Sequence, residues 1–196
     1  MKDDNKKYDA NFTAGGLLFH EFISLQQILL SDDFSTLIKI EEEENNLMAV
    51  DTLSARKRIL SEVKRRFFNA PDNFWNQFYN WSDSEQKLGL FYLCLKTYPL
   101  ILDLHFEVVI KKFKLGAELS AYDINMRLDE LASVNEGVAS WSSSTLDKIN
   151  VQYRKMLKDV GIYNGQYING PQTQNDNFWR YFTDNNESWF LEACFI

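Results

Sequence analysis

Trp141-Ser142-Ser143-Ser144-Thr145 opens the stretch that decides the fold. An amphipathic segment runs from there through Lys158, and Val160-Gly161-Ile162-Tyr163-Asn164-Gly165-Gln166-Tyr167-Ile168 follows. Serines before an apolar-periodic segment are helix caps. Asn164-Gly165 carries the two residue types that accept the positive φ angles of a type I′ hairpin turn. A capped helix followed at once by a tight hairpin predicts a winged helix-turn-helix, whose second helix enters a DNA major groove.

Placed at 100° per residue, the 144–158 segment separates into two faces. Leu146, Ile149, Tyr153, Met156, Leu157 and Val160 gather on one side, with Ser144, Lys148, Gln152, Lys155 and Lys158 on the other. A core stripe opposed by lysines and a glutamine suits a recognition helix. The lysines are expected at phosphates and Gln152 at a base edge. Ser143, Ser144 and Thr145 offer hydroxyls and free backbone N–H groups to a phosphate, and Asn164 and Gln166 tip the wing. Exposed lysines and winged helices serve protein contacts too, so a protein partner stays open beside DNA.

Upstream of this module, Gly116 is the expected boundary of a second unit. Ser120 caps a helix over Ala121–Val134, and residues 135–140 form a turn. The expected organisation is a disordered lead over 1–12, a helical N-terminal domain over 13–115 and a winged-helix-like C-terminal domain over 116–196. In the N-terminal unit, one helix spans about 17–30, and a second is capped by Asp32 or Asp33 and ends in the acidic run 41–44, which reads as a solvated face. Thr52 or Ser54 starts a third helix reaching about Asn69. A short helix follows Pro71, another is capped by Asp83 or Ser84, and Pro99 breaks or restarts the chain. Asp184 with Glu187 predicts a capping box before a last helix.

The third helix is unusually basic. Residues 56–66 hold Arg56, Lys57, Arg58, Lys64, Arg65 and Arg66 against the single acid Glu62. Leu53, Ile59, Leu60, Val63 and Phe67 form its apolar stripe. Arg58 and Arg65 fall opposite, with Lys57 and Lys64 on one edge and Arg66 on the other. This face is either solvated, balancing the acids at 41–44, or a surface for phosphates or a partner.

The 196 residues suffice for one domain or two small ones. A 45% hydrophobic share argues against disorder, and the 15% aromatic share means a core rich in rings. Three prolines and eight glycines suit a helical chain. The net charge of −7 runs against the usual basic character of nucleic-acid binders, though local patches govern binding more than the total does. Cys94 and Cys194 are too few for a disulfide framework or zinc knuckle, which points to a reducing cytoplasm. The apolar runs fall short of the ~20 residues of a membrane span. His20 and His105 lie in apolar surroundings. Asp103, His105 and Glu107 do not share one helical face, and Gly15-Gly16 lacks the lysine of a phosphate loop. The expectation is a soluble, cytoplasmic, non-enzymatic protein with no cofactor, metal, membrane or small-molecule substrate.

With these residues laid out, the chain resembles the BrxA family of BREX (bacteriophage exclusion) defence systems. The likeness runs from about Ala14 to Gly161. It rests on Ala14-Gly15-Gly16-Leu17 with Glu21, the basic helix 52–67, Trp75, and Trp141 through Lys148 leading to Leu157 and Gly161. It implies a small, mainly helical cytoplasmic protein without catalytic residues that binds double-stranded DNA beside other BREX proteins. It also implies an N-terminal half similar to helical RNA-binding antitermination folds. The acidic charge departs from that picture. No DNA-contacting residue is carried over from the family, so the candidate site, Arg58, Lys64, Arg65, Ser144, Thr145, Lys148, Gln152, Lys155 and Asn164, rests on the two helical wheels. The rivals are a protein adaptor using aromatic surfaces near Trp179 and Trp189, and an RNA-binding factor.

Overall fold

A computed structural model describes residues 8–173 and 175–196. A 3-10 turn, Asn11–Ala14, leads into α1 (Phe19–Ser24) and α2 (Gln26–Leu29). Then come α3 (Phe34–Glu44), α4 (Leu53–Asn69), α5 (Phe74–Phe78), α6 (Asp83–Thr97) and α7 (Pro99–Leu104). α7 passes through a π-helical turn, His105–Val109, into α8 (Ile110–Lys114). The chain closes with α9 (Ala121–Val134), α10 (Glu136–Ala139), α11 (Ser143–Asp159), α12 (Asp176–Asp184) and α13 (Trp189–Ala193). The protein is mainly helical, as expected.

Local chemistry sets most of these ends. The Thr52 hydroxyl accepts the Ala55 N–H at 3.2 Å to start α4, and Ser142 accepts from Thr145 to start α11. Ser82 with Glu85, and Ser120 with Asp123, form capping boxes at α6 and α9. Pro99 occupies the first turn of α7, where its missing N–H costs nothing. α6 is buried nearly all round, with Leu88, Leu90, Phe91, Tyr92, Leu93, Cys94 and Leu95 in the core. It is therefore the central helix, with α1, α4, α5 and α7 packed against it.

The entrance differs from the expected helix over 17–30. Leu18 adopts a left-handed conformation (φ 57°), and Leu25 interrupts the path between α1 and α2. The cause lies in α4. The buried Arg66 guanidinium donates to the Gly16 carbonyl at 2.6 Å and the Leu17 carbonyl at 2.8 Å, turning that backbone out of a helix. Nor is the segment before it a disordered lead through residue 12. Phe12 is fully buried against Tyr98, and Asp9 binds Arg65; residues 1–7 lie outside the described residues.

Three further expectations are corrected. The acidic run is not simply solvated, because Glu41 is buried and accepts the N–H groups of Asn46, Leu47 and Met48. The two-stranded hairpin is not formed. Tyr163 and Ile168 make a single antiparallel bridge, and Gly165 takes a positive φ while Asn164 does not. Asn164 Oδ1 instead accepts the N–H groups of Gln166 and Tyr167, closing the turn through its side chain. The Asp184–Glu187 capping box is absent as well, since Glu187 pairs with Lys96 and accepts from the Trp189 indole.

One core runs across Gly116. Ile124, Leu128, Ile149 and Tyr153 belong to the same apolar cluster as Phe91 and Phe22. His105 ties three parts of the chain together, because its ring meets the Tyr153 hydroxyl of α11 at 3.0 Å and the Ala193 carbonyl of α13 at 2.7 Å. Among the described residues, no helix is long and apolar enough to cross a membrane.

Candidate nucleic-acid interface

The basic helix α4 keeps little free charge. Arg56 is buried and donates to the Glu42 carbonyl at 2.7 Å and the Val50 carbonyl at 3.1 Å. Arg66, expected at the edge of the wheel, is fully buried; beyond its two carbonyls it donates to Tyr98 Oη, which in turn donates to buried Glu62. Lys57 and Lys64 both face Glu42, at 3.9 and 3.5 Å. Arg65 forms a two-pronged pair with Asp9, 3.0 and 2.5 Å, and sits over the Tyr98 ring. The Asp9 carboxylate, bonded to it, raises the pKa of that guanidinium further. Of the three α4 site residues, Arg58 is exposed and has no carboxylate partner among the described residues, while Lys64 and Arg65 are half-buried and paired. The helix thus serves mainly to lock α3, the 8–18 segment and α6 together.

α11 is arranged differently. Ile149, Tyr153, Met156 and Leu157 are buried, as the wheel predicts. Lys148, Lys155 and Lys158 stand exposed, and none of the three pairs with a carboxylate among the described residues. Lys158 lies over the Tyr163 ring at 5.7 Å, which links the helix to the turn behind it. Ser144 is exposed and Thr145 half-buried, and the Thr145 N–H is already taken by the Ser142 cap. Asp147 and Asp159 are also exposed on this helix, so the face is mixed, with lysines at its centre.

Two site residues sit otherwise than expected. Gln152 is half-buried and leans on the 3-10 entrance. A Cβ at Gly16 would come within 2.1 Å of its Nε2, so the glycine is needed both for its φ of +60° and for this close approach. Asn164 is exposed, with its carbonyl oxygen engaged in its own turn. That turn is pinned from below, since the Leu119 N–H donates to the Gln166 carbonyl at 2.9 Å and Tyr163 Oη donates to the Leu119 carbonyl at 2.8 Å. Lys148, Lys155 and Ser144 therefore share one side of α11, with the Asn164 turn at Lys158, and both α4 and α11 pack on the 3-10 entrance between them.

Val151 also lies on the lysine face of α11 and is 60% exposed. Its wheel angle places it there, but its apolar side chain carries no polar signal for a binding surface. Of the two tryptophans expected near an adaptor's aromatic surface, Trp179 is buried, while half-buried Trp189 lines an open pocket with Leu95, Leu102 and Phe106. His105 is wholly buried and neutral; burial pushes its pKa down to about 4, against the hydrogen bond to Ala193. Burial raises the thiol pKa of both Cys94 and Cys194. Among the described residues no three His, Cys, Asp or Glu side chains gather where a metal ion would sit.

A family model described as BrxA matches residues 6–171. The fold is similar to the crystal structure of an uncharacterized protein from Magnetospirillum magneticum. The TM-score is 0.77 at 19% identity, over 95% of this chain and 97% of that one. At that identity the likeness is one of fold. No curated protein matches the chain.

Proposed function

The chain belongs to the BrxA family, and from that premise we propose that it serves BREX phage defence as a non-enzymatic protein that binds double-stranded DNA. In this reading α11 occupies a major groove in the manner of a winged helix-turn-helix. α9 and α10 brace it, and the Asn164 turn approaches the backbone in the place of a wing. The protein acts in the cytoplasm beside other BREX components, without cofactor or small-molecule substrate. One observation carries the reading: among the described residues Lys148, Lys155 and Lys158 pair with no carboxylate and share one exposed face, while the α4 site cations Lys64 and Arg65 are held by acids. Unpaired cations on a rigid helix release phosphate counterions on binding and need break no internal pair to do so.

Electrophoretic shift titrations with duplex DNA, RNA and single strands in parallel test this. Duplex binding that weakens steeply with salt supports it. Lys148→Ala with Lys155→Ala is expected to weaken all duplexes alike and to reduce the salt slope by about 2, one unit per phosphate contact. An adaptor role is the second reading, favoured by the net charge of −7. It predicts no duplex shift even at low salt.

A further inference from the structure

We infer that Val151 reads thymine, its two methyl groups seated against the C5-methyl in the major groove while Lys148 and Lys155 hold phosphates on either side. This rests on the reading that α11 docks in that groove. The wheel puts Val151 close in angle to Lys155, Lys158 and Ser144 and nearly opposite the buried stripe of Ile149, Tyr153 and Met156. It is the apolar residue of α11 that stands in solvent, at 60% exposure; its other large apolar residues are buried or packed on the core. A lone exposed valine is ordinary on a protein surface. This one sits one turn from Lys148 and one turn from Lys155, at the middle of the face where unpaired cations collect.

Two features favour a methyl contact over hydrogen-bond readout. Gln152, the amide best placed in sequence to read a base edge, is turned toward Gly16 at the rim of the face. Valine in a helix is held in essentially one rotamer, so its methyls point in a fixed direction and lose little freedom on docking. Thymine's C5-methyl is the apolar group that base pairs present in the major groove, and small apolar side chains are its partners. Two acids border this face: Asp159, roughly 12 Å along the axis from Val151 at ~1.5 Å per residue, and Asp147, one turn before it and about 40° round the helix toward the edge of the lysine face.

The test uses paired synthetic A·T-rich DNA duplexes of one sequence, thymine in one and deoxyuridine in the other, which differ only in that methyl. The wild-type protein is expected to bind the thymine duplex about fourfold more tightly for each methyl it covers. Val151→Ala, which keeps only the β-carbon, should reduce that ratio. Comparing both proteins on both duplexes removes any effect of the methyl on DNA stiffness. Equal wild-type affinity for the two duplexes overturns the inference and leaves duplex binding standing. So does a Val151→Ala protein that keeps the full ratio. Failure of every duplex to bind at low salt removes the proposed function, and this inference with it.

Discussion

Acid should loosen this protein through His105 before its carboxylates respond. The ring is fully buried between α11 and α13, with both nitrogens engaged. A carbonyl only accepts, so Nε2 carries the proton toward Ala193, and Nδ1 accepts from the Tyr153 hydroxyl. The folded pKa is near 4 against 6.5 for a free imidazole. The unfolded chain therefore binds the proton more readily, and acid favours unfolding. The stability contributed by the neutral ring is whole above about pH 6.5 and is lost as pH falls toward 4. At ~1.4 kcal/mol per unit the full loss is about 3 kcal/mol, of which about 2 kcal/mol is gone by pH 5. Glu85, Asp123 and Glu187 are also shifted. Burial works to raise them, but hydrogen bonds from Ser82, Lys112 and Lys96 respectively offset it and hold each below the ordinary range. Their stabilisation fades only below about pH 4.5. Urea unfolding followed by tryptophan fluorescence, from about pH 7.5 to about pH 5, isolates the histidine. His105→Phe should be less stable at neutral pH by ~1–3 kcal/mol, because it strands the Tyr153 hydroxyl and Ala193 carbonyl. Its profile should be nearly flat where the wild type falls by ~2 kcal/mol. A variant that falls as steeply as the wild type would refute the reasoning, as would an imidazole NMR resonance of His105 titrating near pH 6.5 in the folded protein.

Other expectations follow from the same packing. Arg66→Met leaves two backbone carbonyls and Tyr98 without a donor and Glu62 without its buried counter-charge, a loss of ~3–5 kcal/mol. Urea unfolding measures it, and adding Glu62→Gln should recover part. Gly16→Ala forces a side chain into a left-handed backbone and pushes Gln152 away, costing ~1–2 kcal/mol in the same assay. Trp141 is half-buried, so Trp141→Ala should cost less than the ~3–5 kcal/mol of a fully buried ring; a loss in that full range would show the ring to be more tightly held than its exposure indicates. Arg58→Glu should change stability by no more than ~0.5 kcal/mol, whereas Arg65→Glu sets two carboxylates together and should lower the melting temperature measurably.

The helices whose ends and faces depend on neighbouring residues were legible in the sequence. α4, α9 and α11 begin at the hydroxyl caps Thr52, Ser120 and Ser142, and the buried stripe of α11 is the one its spacing predicts. Caps and 3.6-residue periodicity are local, so a single chain carries them in full. The order of motifs also pointed to the family, which the match over residues 6–171 bears out.

What tertiary structure alone decided is which charges remain free. Arg66 sits on a wheel edge that looks solvated, yet Gly16, Leu17 and Tyr98 arrive from 32 to 50 residues away to surround its guanidinium. Asp9 reaches Arg65 from 56 residues upstream, and Gln152 is drawn off the open face by a glycine in the entrance. The hairpin likewise lost to a side-chain contact, because Asn164 closes its turn with Oδ1 instead of adopting a positive φ. A cation's availability to phosphate depends on the groups that fold against it, and the spacing of a helix does not contain them.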